Sequence, residues 1–171
     1  VYDDSDTKFA SPSKYDHCKE RTIIIHALSK SYAMTGWRIG AMTAPAELIS
    51  KMTLLLETTT SCVSPFIQAA AIEAMISSQE AVAGMVEEYK KRRNLMVGML
   101  NQANGVSCIM PQGAFYAFAN VKKSGMNDLE FADYILREAG IAACPGSFFG
   151  EYGKGYVRFC YANSIENIER G

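Results

Sequence analysis

The chain has 171 residues, 49% of them hydrophobic and 20% charged, a composition that can bury a core and lies outside the disordered and collagen-like classes. Seventeen basic against eighteen acidic residues leave a formal charge of −1, without the basic excess that binding a phosphate backbone demands, so nucleic acid is not an expected partner. Nor is a membrane, because apolar runs such as Ile23-Ile24-Ile25 and Ala69-Ala70-Ala71-Ile72 fall far short of the roughly 20 residues a bilayer requires.

In chain order, Val1-Tyr2-Asp3-Asp4-Ser5-Asp6 is acidic and has neither the positive nor the apolar region of a signal peptide. Thr22–Leu28 is β-branched and apolar, which predicts a buried strand delivering a loop at Ser29-Lys30. In open α/β sheets such strand ends carry ligands. Pro45-Ala46-Glu47 suits a helix start, and Leu48, Met52, Leu55 and Leu56 continue it toward Thr58. Ser64-Pro65 opens another helix through Gln68, Ile72 and Met75, and a longer one is expected from Gln79 to Gln102. Its basic run Lys90-Lys91-Arg92-Arg93 is expected to be a solvated face.

After Asn104-Gly105 the pattern turns to β over Val106–Met110 and Gly113–Ala119, followed by a helix over Asp128–Ala139. Strands are expected at Ile141–Ala143 and Tyr156–Tyr161, and Ile165 to Gly171 looks like a helix cut short. The order is α/β, then long helices, then an α+β module from about residue 104, with a boundary near residues 100–104. With no Met at its start, the chain is expected to be a portion of a longer protein.

Most generic motifs fail. Gly146, Gly150, Gly153 and Gly155 match neither a P-loop nor a dinucleotide fingerprint, since Arg158 stands where the last glycine is needed. His17 and His26 have no metal-binding companions and receive no role. Cys18, Cys62, Cys108, Cys144 and Cys160 are odd in number and scattered, which argues against disulfides and zinc and for a reducing cytoplasm.

What remains is Ser29-Lys30-Ser31-Tyr32-Ala33-Met34-Thr35-Gly36-Trp37-Arg38-Ile39-Gly40. It resembles the Schiff-base lysine segment of class I aminotransferases, enzymes of pyridoxal phosphate (PLP) fold type I. Further matches follow in family order: Pro111-x-Gly113-Ala114-Phe115-Tyr116, Pro145-Gly146-Ser147-x-Phe149-Gly150, and Gly155-Tyr156-Val157-Arg158-Phe159-x-Tyr161-Ala162. Together they span nearly the whole chain.

The resemblance implies an α/β fold. Residues 1–65 would close the PLP-binding large domain, 66–103 would be connecting helices, and 104–171 a small α+β domain truncated at its end. Lys30 would form the Schiff base with pyridoxal 5′-phosphate and then move the proton between substrate Cα and cofactor C4′, both suited to an amine. Arg38 would grip the cofactor phosphate, a task for a planar guanidinium. Ser29 could add a hydroxyl, although Ala27 stands where many relatives place a serine. Tyr2 would hydrogen-bond the cofactor ring oxygen, while the aspartate that holds the pyridine nitrogen would fall just before Val1. By the resemblance Arg158 would take the substrate α-carboxylate; strand alternation sets it on the face opposite Val157, Phe159 and Tyr161.

Gly36 is expected to allow a tight turn, and Met34, Trp37 and Met42 to be packing. The complete enzyme would exchange amino groups between an α-amino acid, aspartate or aromatic, and a 2-oxo acid, as a homodimer, by a ping-pong cycle. The isolated segment is expected to be inactive. A PLP lyase or decarboxylase of the same fold, or a non-catalytic module, are the alternatives.

Overall fold

The computed structural model describes Tyr2, residues 8–15 and residues 20–171. His17 and Cys18 lie outside the described residues. The chain forms two compact units, one of residues 9–83 and one of residues 84–171 with the N-terminal residues 1–8. Among the described residues no helix is long and apolar enough to cross a membrane.

In the unit of residues 9–83, strand β1 (Ile24–Ala27) leads into a single helical turn, α1 (Leu28–Ser31), and the chain returns as β2 (Gly40–Thr43). The strands pair antiparallel, with Ala27 opposite Gly40. A Cβ on Gly40 would lie 2.5 Å from the His26 carbonyl oxygen, so this close backbone approach requires glycine. Leu28 and Met34 are buried together with Ala71. Helices α2 (Ala46–Thr59) and α3 (Pro65–Ile76) follow, the latter opened by Ser64 with Pro65 in its first turn.

Three expectations change in this unit. β1 is not buried: Ile25 is 78% exposed, and among the described residues the sheet has two strands. A helical turn rather than a loop follows the strand. Gly36 lies in the expected turn, closed by Trp37 N–H onto the Met34 carbonyl, while the positive φ values fall at Ala33 (φ 54°) and Arg38 (φ 51°). Met34 is packed as expected, but Trp37 is 43% exposed.

The second unit is built on an antiparallel sheet of order β3-β4-β6-β5, from β3 (Ser107–Cys108), β4 (Tyr116–Asn120), β5 (Cys144–Pro145) and β6 (Tyr156–Cys160). Ala117 and Phe159, and Ala119 and Val157, are register partners on one face. These four, with Val121 and Tyr161, form the core that helix α4 (Glu80–Leu100) covers through Val97 and Met96. Val157 and Val121 are fully buried, each worth roughly 1.5–3 kcal/mol. Helix α5 (Asp128–Ala139) has the expected bounds. Asn127 accepts from the amides of Leu129 and Glu130 while Glu130 accepts from Asn127 N–H, and Gly140 ends the helix in a left-handed turn. The short helix α6 (Ile165–Arg170) adds Ile168 to the core.

Three differences follow from particular contacts. β3 shrinks to two residues because Val106 N–H closes a turn onto the Ala103 carbonyl. β5 begins at Cys144, since Ile141 N–H is still bonded to Ile135 in the exit of α5. The two compact units divide at residues 83/84, as α4 packs Val86, Tyr89 and Val97 on the same core as the sheet. Finally, Lys90–Arg93 is not a solvated face throughout. Lys91 is exposed, but Arg93 is 2% exposed, donates to the Pro111 carbonyl (3.1 Å) and to Asn94 Oδ1, and lies 4.3 Å over the Tyr2 ring.

Between β5 and β6, the 3-10 turns Gly146–Phe149 and Glu151–Gly153 cross so closely that a Cβ on Gly153 would collide with the Gly146 carbonyl oxygen. The obstructing atoms are rigid backbone, so Gly153→Ala is expected to lower unfolding free energy by about 1–3 kcal/mol. Urea denaturation checks this, and an unchanged midpoint would contradict it.

Candidate active site

The twelve-residue motif from Ser29 to Gly40 folds as the connection between β1 and β2. Because Ala27 and Gly40 are register partners, Lys30 and Arg38 lie at the same end of this hairpin. The connection is closed at its base by Leu28 N–H donating to the Ile39 carbonyl (3.3 Å) and by Trp37 N–H donating to Met34 (3.3 Å). Burial of Leu28 and Met34 anchors it. Lys30 is exposed on α1, and Ser29 beside it is half-buried. Arg38 is exposed, its Nη1 donating to the Thr35 carbonyl at 2.8 Å. Its left-handed backbone is a strained conformation for a residue with a side chain, of the kind that clusters at functional sites.

These groups fit an aldehyde-bearing phosphate ester. An exposed primary amine can condense with the aldehyde, and the Arg38 guanidinium keeps N–H donors beyond the one used on Thr35.

Arg158 belongs to the other unit. On β6 it is half-buried on the face opposite buried Val157 and Phe159, as strand alternation predicts. Phe118 is its direct cross-strand partner. Its guanidinium carbon lies 4.3 Å from the Tyr116 ring centroid and 4.4 Å from that of Phe149. Among the described residues it has no carboxylate partner, so an anionic ligand would meet an unpaired cation.

Tyr2, expected at the cofactor ring, is 4% exposed in the core of the second unit. Its hydroxyl donates to the Ala114 carbonyl (2.7 Å) and lies 3.2 Å from the Tyr161 hydroxyl. Burial first, and then the Tyr2 hydroxyl, push the Tyr161 phenol up, so it stays protonated at all ordinary pH. The phenol of Tyr2 thus faces protein groups here, and its cofactor contact rests on the resemblance alone.

Sequence reasoning missed Asp128. The carboxylate is 4% exposed, and accepts from Ser147 N–H (2.9 Å, Oδ2) and Gly155 N–H (3.2 Å, Oδ1). At the start of a helix an acidic residue signals only a favourable dipole contact, so nothing in the sequence announces this clamp. Burial raises its pKa, but hydrogen bonds from the Ser147 hydroxyl and from the two amides outweigh that and bring it to about 2. A carboxyl held below its unfolded value, about 3.9, contributes stability above that value and loses it as pH falls. The urea midpoint is therefore expected to drop between about pH 4 and pH 2, and Asp128→Asn to flatten that part of the curve. An Asp128→Asn profile parallel to that of the parent would contradict the assignment.

All of the chain, residues 1–171, matches the family described as "Aminotransferase class I and II". It is 42% identical to an aspartate aminotransferase of Pyrococcus abyssi over 99% of this chain and 43% of that protein. An aromatic-amino-acid aminotransferase of Thermococcus litoralis is 40% identical, again over 99% of this chain and 43% of the relative. The crystal structure of an aromatic aminotransferase from Pyrococcus horikoshii superposes with a TM-score of 0.92 at 38% identity, covering 99% of this chain and 45% of that one. The chain thus spans less than half the length of the relatives it matches.

Proposed function

The chain belongs to the class I and II aminotransferase family, whose enzymes depend on pyridoxal 5′-phosphate, and from that premise we propose that it is part of an enzyme exchanging amino groups between an α-amino acid and a 2-oxo acid. The observation that carries this reading is the folding of Ser29–Gly40 into one strand connection, with Lys30 and Arg38 at the same hairpin end. The cofactor, when bound, supplies the electron sink for cleavage of a Cα bond. Lys30 binds it covalently and carries the proton to and from substrate Cα. Arg38 holds the phosphate, with Ser29 beside the lysine. Arg158 receives the substrate α-carboxylate and so orients the Cα–H bond.

Residues 1–65 belong in this reading to the cofactor-binding large domain, 66–103 to the helices that follow, and 104–171 to the small domain. The relatives that are aspartate and aromatic aminotransferases support a dicarboxylic or aromatic amino donor. The enzyme works as a homodimer in the cytoplasm, a setting consistent with the free cysteines 62, 108, 144 and 160. The segment by itself turns over negligibly, because the remainder of the cofactor cup lies in other parts of the enzyme.

Borohydride reduction of the full-length enzyme loaded with pyridoxal phosphate, followed by peptide mass mapping, tests the assignment. A pyridoxyl adduct confined to the Lys30 peptide is expected. An adduct confined to another lysine would remove Lys30 from this role, and no adduct at all would remove the PLP reading with it.

A further inference from the structure

The two aromatic rings on Arg158 are held by different means. Tyr116 is fixed by the register of β4 against β6. Phe149 ends a 3-10 turn in the segment from Ser147 to Gly155, where Phe148 is 70% and Tyr152 99% exposed. Apart from the close backbone crossing of Gly146 and Gly153 and an edge contact between the Phe149 and Phe118 rings, packing gives that segment little hold, yet Phe149 must stay on the guanidinium to fix its plane and leave the N–H edge for a ligand.

The hold is at the base of the segment. Asp128 accepts from the amide of Ser147 at one end and of Gly155 at the other, and among the described residues no ion pair competes for the carboxylate. A carboxylate can accept both N–H groups, whereas an asparagine offers one acceptor oxygen and turns an N–H toward the other amide.

We propose that Asp128 is a positioning residue: by tying Ser147 to Gly155 it keeps Phe149 stacked on Arg158 and so sets the affinity for the substrate carboxylate. This rests on reading Arg158 as the carboxylate anchor.

The test uses full-length holoenzyme and the variants Asp128→Asn, Phe149→Leu, their combination, and Arg158→Lys. Kinetics are measured with L-aspartate and L-phenylalanine, and binding with α-methylaspartate and α-methylphenylalanine, which have no Cα hydrogen to lose. Asp128→Asn is expected to raise KM and the analogue Kd about tenfold, with kcat within about twofold, the pattern of a misplaced binding group. Phe149→Leu should act in the same direction, and the double variant should be no worse than Asp128→Asn alone. Should Asp128→Asn not fold, Asp128→Glu, which keeps the charge but displaces the oxygens, takes its place.

Unchanged KM and Kd in the Asp128 variant, or effects of the two substitutions that multiply, would overturn the proposal. If Arg158→Lys raises KM and Asp128→Asn does not, the Asp128 inference alone falls. If Arg158→Lys leaves KM unchanged, the anchor reading falls first.

Discussion

Replacing Lys30 with alanine in the full-length holoenzyme is expected to cut amino transfer by roughly 10²–10⁴-fold or more, the range that a positioned proton-transfer group supplies. The lysine sits on a four-residue helical turn whose anchor is Leu28, two residues earlier and 4% exposed. Lys30 itself is exposed, so removing its side chain opens no cavity and the fold should survive. Lys30→Arg is expected to be no better, because a guanidinium neither condenses with the aldehyde at neutral pH nor gives up a proton. Single-turnover kinetics with the amino acid, set beside thermal unfolding of the same variant, separate chemistry from stability. Full turnover by Lys30→Ala would be incompatible with the proposed role.

Arg158→Leu is expected to cost the second largest factor. Two charge-assisted hydrogen bonds to a carboxylate are worth about 1.5–3 kcal/mol each, which corresponds to a fall of roughly 10²–10⁴-fold in kcat/KM. The backbone of β6 is kept in place by Val157 and Phe159 on the opposite face, and leucine can still lie between the rings of Tyr116 and Phe149. The loss should therefore appear in kinetics with little change in unfolding temperature. It should also affect amino acid and 2-oxo acid alike, since both present a carboxylate to the same arginine. A kcat/KM within about threefold of the parent would show that the carboxylate is held elsewhere.

Local signals were the legible part of the fold. The bounds of α5, Asp128–Ala139, and the opening of α3 at Ser64-Pro65 were readable, because caps and turns are settled by neighbours in sequence; the structure shows the Asn127/Glu130 capping box and Gly140 that fix α5. The face of Arg158 was readable for the same reason, strand alternation being a local rule. Where a residue's environment depends on distant partners, the reading failed. Thr22–Leu28 is apolar enough for a buried strand, yet among the described residues β1 pairs with β2 alone and leaves Ile25 exposed. Arg93 looked like one more solvated cation in a basic run, but the Pro111 carbonyl and the Tyr2 ring draw it into the core.

The sequence by itself determined the chemistry on offer: a lysine and an arginine eight residues apart in a twelve-residue motif, and a second arginine in a strand, all in the order of one enzyme family. It also set the bounds of α2, α3 and α5 to within a residue or so, since turn-forming and capping residues flank them. Only the tertiary structure decided which residues support that chemistry. Asp128 and Ser147 are 19 residues apart and Asp128 and Gly155 are 27 apart, and no periodicity links positions that meet only when α5 packs beside β6. Hydrogen bonds between such positions are chosen by the packing of the whole unit, which places one carboxylate under two amides and, through the turn they close, an aromatic ring over Arg158.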